Sequence, residues 1–280
     1  MGCVFLRFPE GKLKAMTLSY DDGVDQDERL IGIMRANGLR GTFNISAGLY
    51  PPEGTVFAPG VISRRLTKAA ATALYSGPDV EVALHGYEHP HLEQLSPTAC
   101  LHQIIEDRRA LEEQFGCFVR GMAYPFGKLS DETVEIVRAC GIRYARTAVA
   151  THGFELPTDW LRMGSTCHHT DPQLMPLLDE FLTGTTWHSP WLFYLWGHGY
   201  EFERDNSWDL IERFAEQAGG HEDIWYVTNG EICDYVQAFD QLVCSVDGKR
   251  MYNPTCTPLW FAEWDGAVKR IGPGETLVLA

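Results

Sequence analysis

The feature that most constrains this chain is a repeated alternation of short β-rich runs with longer stretches of helical periodicity. The runs are Lys14–Ser19, Gly41–Ser46, Val80–Leu84, Val119–Tyr124, Tyr144–Thr147, Trp191–Trp196 and Asp223–Val227. Between them lie Asp25–Asn37, Ser63–Tyr75, Ser96–Phe115, Ser130–Cys140, Asp171–Leu182 and Asn206–Gln217. These segments carry apolar residues three and four apart, as Leu101, Ile104, Ile105, Leu111 and Phe115 do. Parallel strands joined by crossover helices produce such a pattern. Helix starts are marked by Ser96-Pro97, a cap before a first-turn proline, and by the acidic first turn of Ser130-Asp131-Glu132. The count of elements predicts an α/β barrel, closed or incomplete. An open doubly wound sheet is the alternative, because periodicity does not count closure.

Beyond residue 238 the texture changes to short strand-like runs joined by turns. Asp247-Gly248 and Asp265-Gly266 are hairpin signals. The chain therefore divides into a barrel over residues 1–238 and a small β annex over 239–280. A hydrophobic share of 45% is enough for a large core. The net charge of −15 argues against a phosphate-binding surface and so against nucleic acid as a partner. No apolar run reaches the ~18 residues of a membrane span. The start of the chain lacks the pattern of a secretory leader, so a cytoplasmic location is expected. Eight cysteines without CxxC spacing read mostly as small buried hydrophobes, with Cys244 and Cys256 placed to meet across a hairpin.

Chemistry-bearing residues gather at the predicted strand ends. Ser19-Tyr20-Asp21-Asp22-Gly23 closes the first run with two adjacent carboxylates. Neighbouring side chains on a strand point to opposite faces, so two such Asp residues share a site only where the strand bends, a freedom Gly23 supplies. One carboxylate can then bind a cation while the other takes a proton. His85-Gly86-Tyr87-Glu88-His89 follows the third run, and its two imidazoles can converge on one ion. Ala123-Tyr124-Pro125-Phe126-Gly127 is an aromatic–proline loop, and Trp196-Gly197-His198-Gly199 delivers a histidine from a late strand. Residues drawn from several strand ends are the expected layout of an α/β-barrel site.

These segments resemble the motifs of the polysaccharide deacetylase family, the homology domain shared by chitin and peptidoglycan deacetylases. Its Thr-Phe-Asp-Asp-Gly motif is similar to Ser19 through Gly23, and its His-Ser/Thr-x-x-His motif to His85 through His89. The proline–aromatic loop resembles Ala123 through Phe126, the late histidine resembles His198, and Gly41 through Ile45 resembles the family's second strand. Motif order is kept over residues 14–237. The resemblance implies a distorted (β/α) barrel of seven or eight parallel strands. It implies one divalent ion, zinc first with cobalt, nickel or manganese as alternatives, held by Asp22, His85 and His89. It further implies Asp21 as general base and His198 as general acid, acting on an N-acetylated carbohydrate.

Two departures stand out. Gly86 occupies the position of a bracing Ser or Thr, and Ala123 that of an arginine paired with the catalytic Asp. Arg162 is the sequence's candidate for the missing charge. The Tyr124 backbone N–H is a candidate for an oxyanion, since Pro125 has none to give. Tyr124, Pro125, Phe126, Arg162 and Trp196 thus form the expected substrate-binding set. Trp187, Trp191, Trp208 and Trp225 are further flat faces for sugar rings. His168 and His169 read as rim residues, and Asn229 and Glu231 as polar contacts or a helix cap. Hydrolysis of another C–N bond, in a cyclic amide or ureido compound, and non-catalytic sugar binding are the competing functions.

Overall fold

The computed structural model describes residues 4–279. Its fifteen strands and eight α-helices start with β1 (Phe5–Arg7), β2 (Lys14–Asp21), α1 (Asp27–Ala36), β3 (Gly41–Ile45), α2 (Lys68–Tyr75), β4 (Val80–Leu84), α3 (Pro97–Phe115) and β5 (Gly121–Ala123). Next come α4 (Asp131–Ala139), β6 (Tyr144–Ala150), β7 (Met163–Ser165), β8 (Cys167–His168), α5 (Leu174–Thr183) and β9 (Trp191–His198). They are followed by α6 (Gly199–Arg204), α7 (Trp208–Ala218), β10 (Ile224–Tyr226) and α8 (Asn229–Phe239). The last strands are β11 (Val243–Cys244), β12 (Arg250–Tyr252), β13 (Leu259–Ala262), β14 (Val268–Ile271) and β15 (Thr276–Val278).

The central sheet is parallel throughout, in the order β7-β6-β5-β4-β3-β2-β9-β8, with β10 also paired to β2. Met163–Ser165 pairs with β6, whereas Cys167–His168, two residues later, pairs with β9. One short segment therefore touches both ends of the sheet and closes it. The result is a distorted (β/α) barrel, with β10 against the first half of β2. Sequence patterning missed the closing segment because β7 and β8 are only three and two residues long.

The interior is built by strands buried on both faces, as β2 illustrates, with Met16, Leu18 and Tyr20 on one face and Ala15, Thr17, Ser19 and Asp21 on the other. Helix α3 differs from its apolar pattern: Leu101 and Ile105 face out, and the inward residues are Cys100, Gln103, Ile104, Asp107 and Leu111. Ser96 caps α3 and Ser130 caps α4, as their sequences predict.

The annex consists of two three-stranded sheets, β1-β13-β14 and β11-β12-β15. Both Asp-Gly pairs join antiparallel neighbours, β11 to β12 and β13 to β14. Strand β1, placed by the sequence division with the barrel segment, pairs instead with β13. Cys244 and Cys256 are free, so the hairpin does not bring them into a disulfide. Among the described residues no helix is long and apolar enough to cross a bilayer.

Candidate active site

The strand ends deliver the predicted residues to one mouth of the barrel. Asp21 ends β2, and Asp22 follows with φ 82°, a left-handed conformation unusual for a residue with a side chain. Gly23 continues with φ 64°. The bend frees both carboxylates from the alternation of the strand. The Asp22 N–H still donates to Asn44 O on β3 at 3.0 Å, and Arg65 grips the turn by donating to Asp22 O (2.6 Å) and Oδ1 (2.9 Å).

His85 emerges from β4, and its Nδ1 lies 2.8 Å from Ala123 O. A carbonyl only accepts, so Nδ1 carries the proton and the Nε2 lone pair faces the cleft. His89 returns to the same place with φ 54°, its N–H donating to Gly86 O. Nitrogens of His85 and His89 and an Asp22 oxygen all lie within 4.8 Å of one another. Burial keeps both imidazoles neutral: His85 is lowered from its ordinary value, and His89 is lowered to about 4 by burial and by His85. An anionic oxygen with two neutral nitrogens, one of fixed tautomer, is a donor set that fits a divalent cation.

The loop is braced without the usual Ser or Thr. Gly86 has φ 73°, and an added Cβ would come within 3.3 Å of Pro125 Cγ and 3.4 Å of Pro90 Cδ. Support comes instead from helix α3. Asp107 accepts the His85 N–H at 3.0 Å and the Ala47 N–H at 2.8 Å, while Gln103 Oε1 accepts the Glu88 N–H at 2.8 Å. Spaced four apart on one face, Gln103 and Asp107 hold two points of the same turn.

Asp21 is buried beside this cluster. Arg146, from β6, donates to Asp21 Oδ2, and Asn44 Nδ2 donates to Asp21 Oδ1 at 2.8 Å. Burial alone would raise the Asp21 pKa, but the charge of Arg146, its hydrogen bond and the charge of His198 hold it down to about 2. Arg146 is itself only 1% exposed, and its guanidinium lies 4.1 Å from the ring centroid of Trp196. Arg162 does not play this part. It pairs with Asp159 at 2.6 Å and Asp131 at 2.8 Å, on the outside of the fold. The sequence did carry a signal for Arg146, an arginine inside the buried strand Tyr144–Thr147.

His198 ends β9 opposite, with Nε2 3.9 Å from Asp21 Oδ2 and Nδ1 3.1 Å from Glu201 Oε2. Burial works against its protonation, but the Glu201 hydrogen bond and the Asp21 charge raise its pKa above the ordinary imidazole value. His168 and His169 also reach Glu201 Oε2, at 3.1 and 3.3 Å; His169 is fully buried and so is not a rim residue, while His168 stays partly exposed.

The rest of the expected substrate set separates. Phe126 is 51% exposed, lies edge-on to His89 and stacks on His91 at 3.9 Å. Pro125 is buried under the histidine loop. Tyr124 is unavailable, because its N–H donates to Arg146 O at 3.0 Å and its hydroxyl to Leu161 O at 2.9 Å. Trp196 is the tryptophan at the site. Trp191 packs on Phe154, Trp208 on Phe202, and Trp225 on Phe8 and Tyr235, while Trp187 is 80% exposed. Asn229 is buried among Thr17, Thr42 and Tyr194, while Thr228 and Glu231 cap α8.

Residues 9–145 match the family model of polysaccharide deacetylases. Over these residues, just under half of the chain, the sequence is similar to the polysaccharide deacetylase family. This deacetylase-family match spans both Asp residues, both loop histidines and the proline–aromatic loop, and it ends one residue before Arg146. No curated protein sequence matches the chain. Among solved structures, the chain is similar to a polysaccharide deacetylase from Mycobacterium smegmatis, with 15% identity and a TM-score of 0.56, covering 86% of this chain and 96% of that one. It is also similar to a family 4 carbohydrate esterase from Streptomyces lividans in complex with acetate, at 16% identity, TM-score 0.50, and 76% and 92% coverage. A Streptococcus pyogenes deacetylase in complex with acetate shares 20% identity with a TM-score of 0.45, and the match covers 52% of this chain and 61% of that one. At these identities the likeness is one of fold.

Proposed function

We propose that this chain is a metal-dependent hydrolase that removes N-acetyl groups from an amino-sugar-containing oligosaccharide or glycoconjugate. The observation that carries this reading is the convergence of Asp22, His85 and His89 beside the buried Asp21–Arg146 pair, with His198 on the far side.

A divalent cation held by Asp22, His85 and His89 supplies Lewis-acid polarisation of the amide carbonyl and makes a neighbouring water easier to deprotonate. Zinc suits two imidazoles and one carboxylate with positions left open. Asp21 accepts the proton of the attacking water. Arg146 holds that carboxylate ionised and fixed in direction. As the carbonyl carbon bonds to the water oxygen and its bond to nitrogen breaks, His198 gives the Nε2 proton to the departing amine, and acetate is the other product. Phe126 and Trp196 offer aromatic faces beside the cleft for a sugar ring.

A cytoplasmic location is supported by exposed free thiols at Cys117 and Cys256, which persist in reducing compartments. It favours a small oligosaccharide or glycoconjugate over an intact cell wall as substrate.

The test is acetate release from N-acetylated chito-oligosaccharides by zinc-loaded protein, before and after chelation. Acetate should appear, stop on chelation and return with metal. Ring opening of cyclic amides or ureido compounds without acetate release from the sugar would move the chain to the other C–N hydrolase reading. Bound metal with sugar binding but no turnover would make it a binding protein.

A further inference from the structure

A second cluster lies on the other face of the His198 ring. His168 Nε2, His198 Nδ1 and an oxygen of Glu201 all stand within 4.8 Å of one another. Glu201 Oε2 is the hub, 3.1 Å from His168 Nε2, 3.1 Å from His198 Nδ1 and 3.3 Å from His169 Nε2. The same oxygen is 3.2 Å from the His198 backbone N–H, and Oε1 is 3.3 Å from Arg204.

That crowding is hard to satisfy with hydrogen bonds. A carboxylate oxygen has two lone-pair directions, and the His198 backbone N–H takes one. One direction remains for three ring nitrogens. The other rings would have to turn lone pairs toward an anionic oxygen, a repulsive arrangement unless positive charge lies among them. Zinc meets this need with donors about 2.0–2.1 Å away, and the corners of such a tetrahedron are about 3.3 Å apart. The distances from Glu201 Oε2 to His168 Nε2 and His198 Nδ1 fall close to that edge length.

His169 gives an independent indication. Its side chain is 0% exposed, stacked between Tyr20 and Phe202, and neither ring nitrogen has a hydrogen-bond partner among the described residues. A buried ring with both nitrogens unpaired is costly without a polar partner, and its Nε2 lies 3.3 Å from Glu201 Oε2 without bonding to it. The backbone is shaped for it: a Cβ on Gly197 would stand 1.9 Å from His169 Nδ1, so only glycine lets the ring lie against β9. His168 can present the required tautomer, since its Nδ1 lies 2.8 Å from Thr170 Oγ1, which can accept a proton from it.

We infer that His168, His198 and Glu201 form a second divalent-cation site, of a kind suited to zinc, next to the Asp22–His85–His89 cluster. The ion would take His198 at Nδ1 and leave the proton on Nε2, the nitrogen facing Asp21. That makes His198 a weaker acid than the imidazolium paired with Glu201, so a filled second site would slow the proton delivery proposed above. The inference goes beyond the deacetylase reading, and the two can fail separately.

The experiment measures metal content by elemental analysis after loading with zinc and exhaustive dialysis, with cobalt loading followed by visible absorption as a coordination readout. Wild-type protein should retain about two ions per chain, and the His168→Gln and Glu201→Gln variants about one. His85→Ala should also retain about one, and the His85→Ala/Glu201→Gln double variant none. Thermal melting of each variant shows whether it is folded, and cobalt titration of unmodified protein, expected in two spectroscopic phases, needs no variant. A single ion in the wild type, lost in His85→Ala and kept in His168→Gln and Glu201→Gln, overturns the inference and leaves a cluster bridged by protons. A single ion lost only in the Glu201→Gln variant upholds it while removing the metal ligation assigned to His85.

Discussion

Asp21 sits between two imidazole–carboxylate clusters that the chain builds in different ways. The Asp22–His85–His89 cluster takes both imidazoles from one five-residue turn and sets one tautomer with a backbone carbonyl, Ala123 O. The cluster around Glu201 is assembled from the ends of two paired strands, β8 and β9, and from helix α6, and it crowds nitrogens of His168, His169 and His198 within 3.3 Å of one oxygen. In the first, the surroundings do the organising: Arg65 takes Asp22 O, Asp107 the His85 N–H and Gln103 the Glu88 N–H. In the second, the polar groups mainly meet one another. A centre braced from outside keeps its geometry when its ion is removed, whereas a self-facing one depends on whatever charge lies inside it.

The largest expected effect separates Asp21 from its neighbour. Asp21→Asn should lower turnover by about 10²–10⁴-fold, the usual range for a general base, while elemental analysis finds the first-cluster ion still bound. Asp22→Ala should lose that ion together with activity. If Asp21→Asn turns over normally, the division of labour between the adjacent carboxylates is wrong.

Next in size is Arg146. Arg146→Leu leaves Asp21 buried without its cation and should cost about 3–5 kcal/mol of stability, read as a fall in Tm. The pH dependence checks the cause. In the native protein the Asp21 pKa is depressed from 3.8 to about 2, so its stabilisation is present above the unfolded value and disappears as pH falls through about 2. With Arg146 gone, burial dominates and raises the folded pKa, so ionisation of Asp21 becomes a cost that grows as pH rises above about 4. The gap in Tm between wild type and variant should therefore be widest near neutrality and shrink toward pH ~3. A gap independent of pH would mean that Arg146 acts through packing on Trp196 instead.

The contrast between the clusters also explains what was legible in the sequence. Asp21, Asp22, His85 and His89 lie within short motifs at strand ends, so spacing and a bend-permitting glycine were enough to bring them forward. Closure by Met163–His168 was not legible, because a segment that switches pairing partners within six residues leaves no periodic trace. His168 and His169 lie in that same segment, and their partner Glu201 is on a helix of six residues that the pattern did not reveal. Arg146 was hidden for another reason: a charge in a strand reads as an outward residue unless its buried counter-ion is known. Helix α3 misled through its own amphipathicity. Leu101 and Ile105 fit the apolar stripe, yet the polar Gln103 and Asp107 face inward because the histidine loop needs their acceptors.

That bracing is the third and smaller test. Asp107→Ala should strip partners from the His85 and Ala47 N–H groups, costing about 1–3 kcal/mol and about 10–100-fold in metal affinity at the first cluster. The second cluster shares no contact with Asp107, so its metal retention should be unchanged. Parallel loss from both sites would show that the two are one cooperative unit.

The smallest effect is expected at Arg162, the residue that sequence reasoning favoured for the role Arg146 fills. Its partners, Asp159 and Asp131, stand on the surface, and Asp131 is almost fully accessible, with a side chain 99% exposed. Ion pairs in water gain little, because solvent screens the attraction and two long side chains lose freedom. Arg162→Ala should leave turnover and metal content unchanged and move Tm by less than Arg146→Leu by several-fold. The pair of variants puts the same side chain in two settings, one exposed and one sealed against Asp21 beneath Trp196. A loss of turnover in Arg162→Ala comparable to that in Arg146→Leu would mean that the Asp159 segment rearranges to reach the cleft, and the buried pair would lose its claim to be the source of the charge.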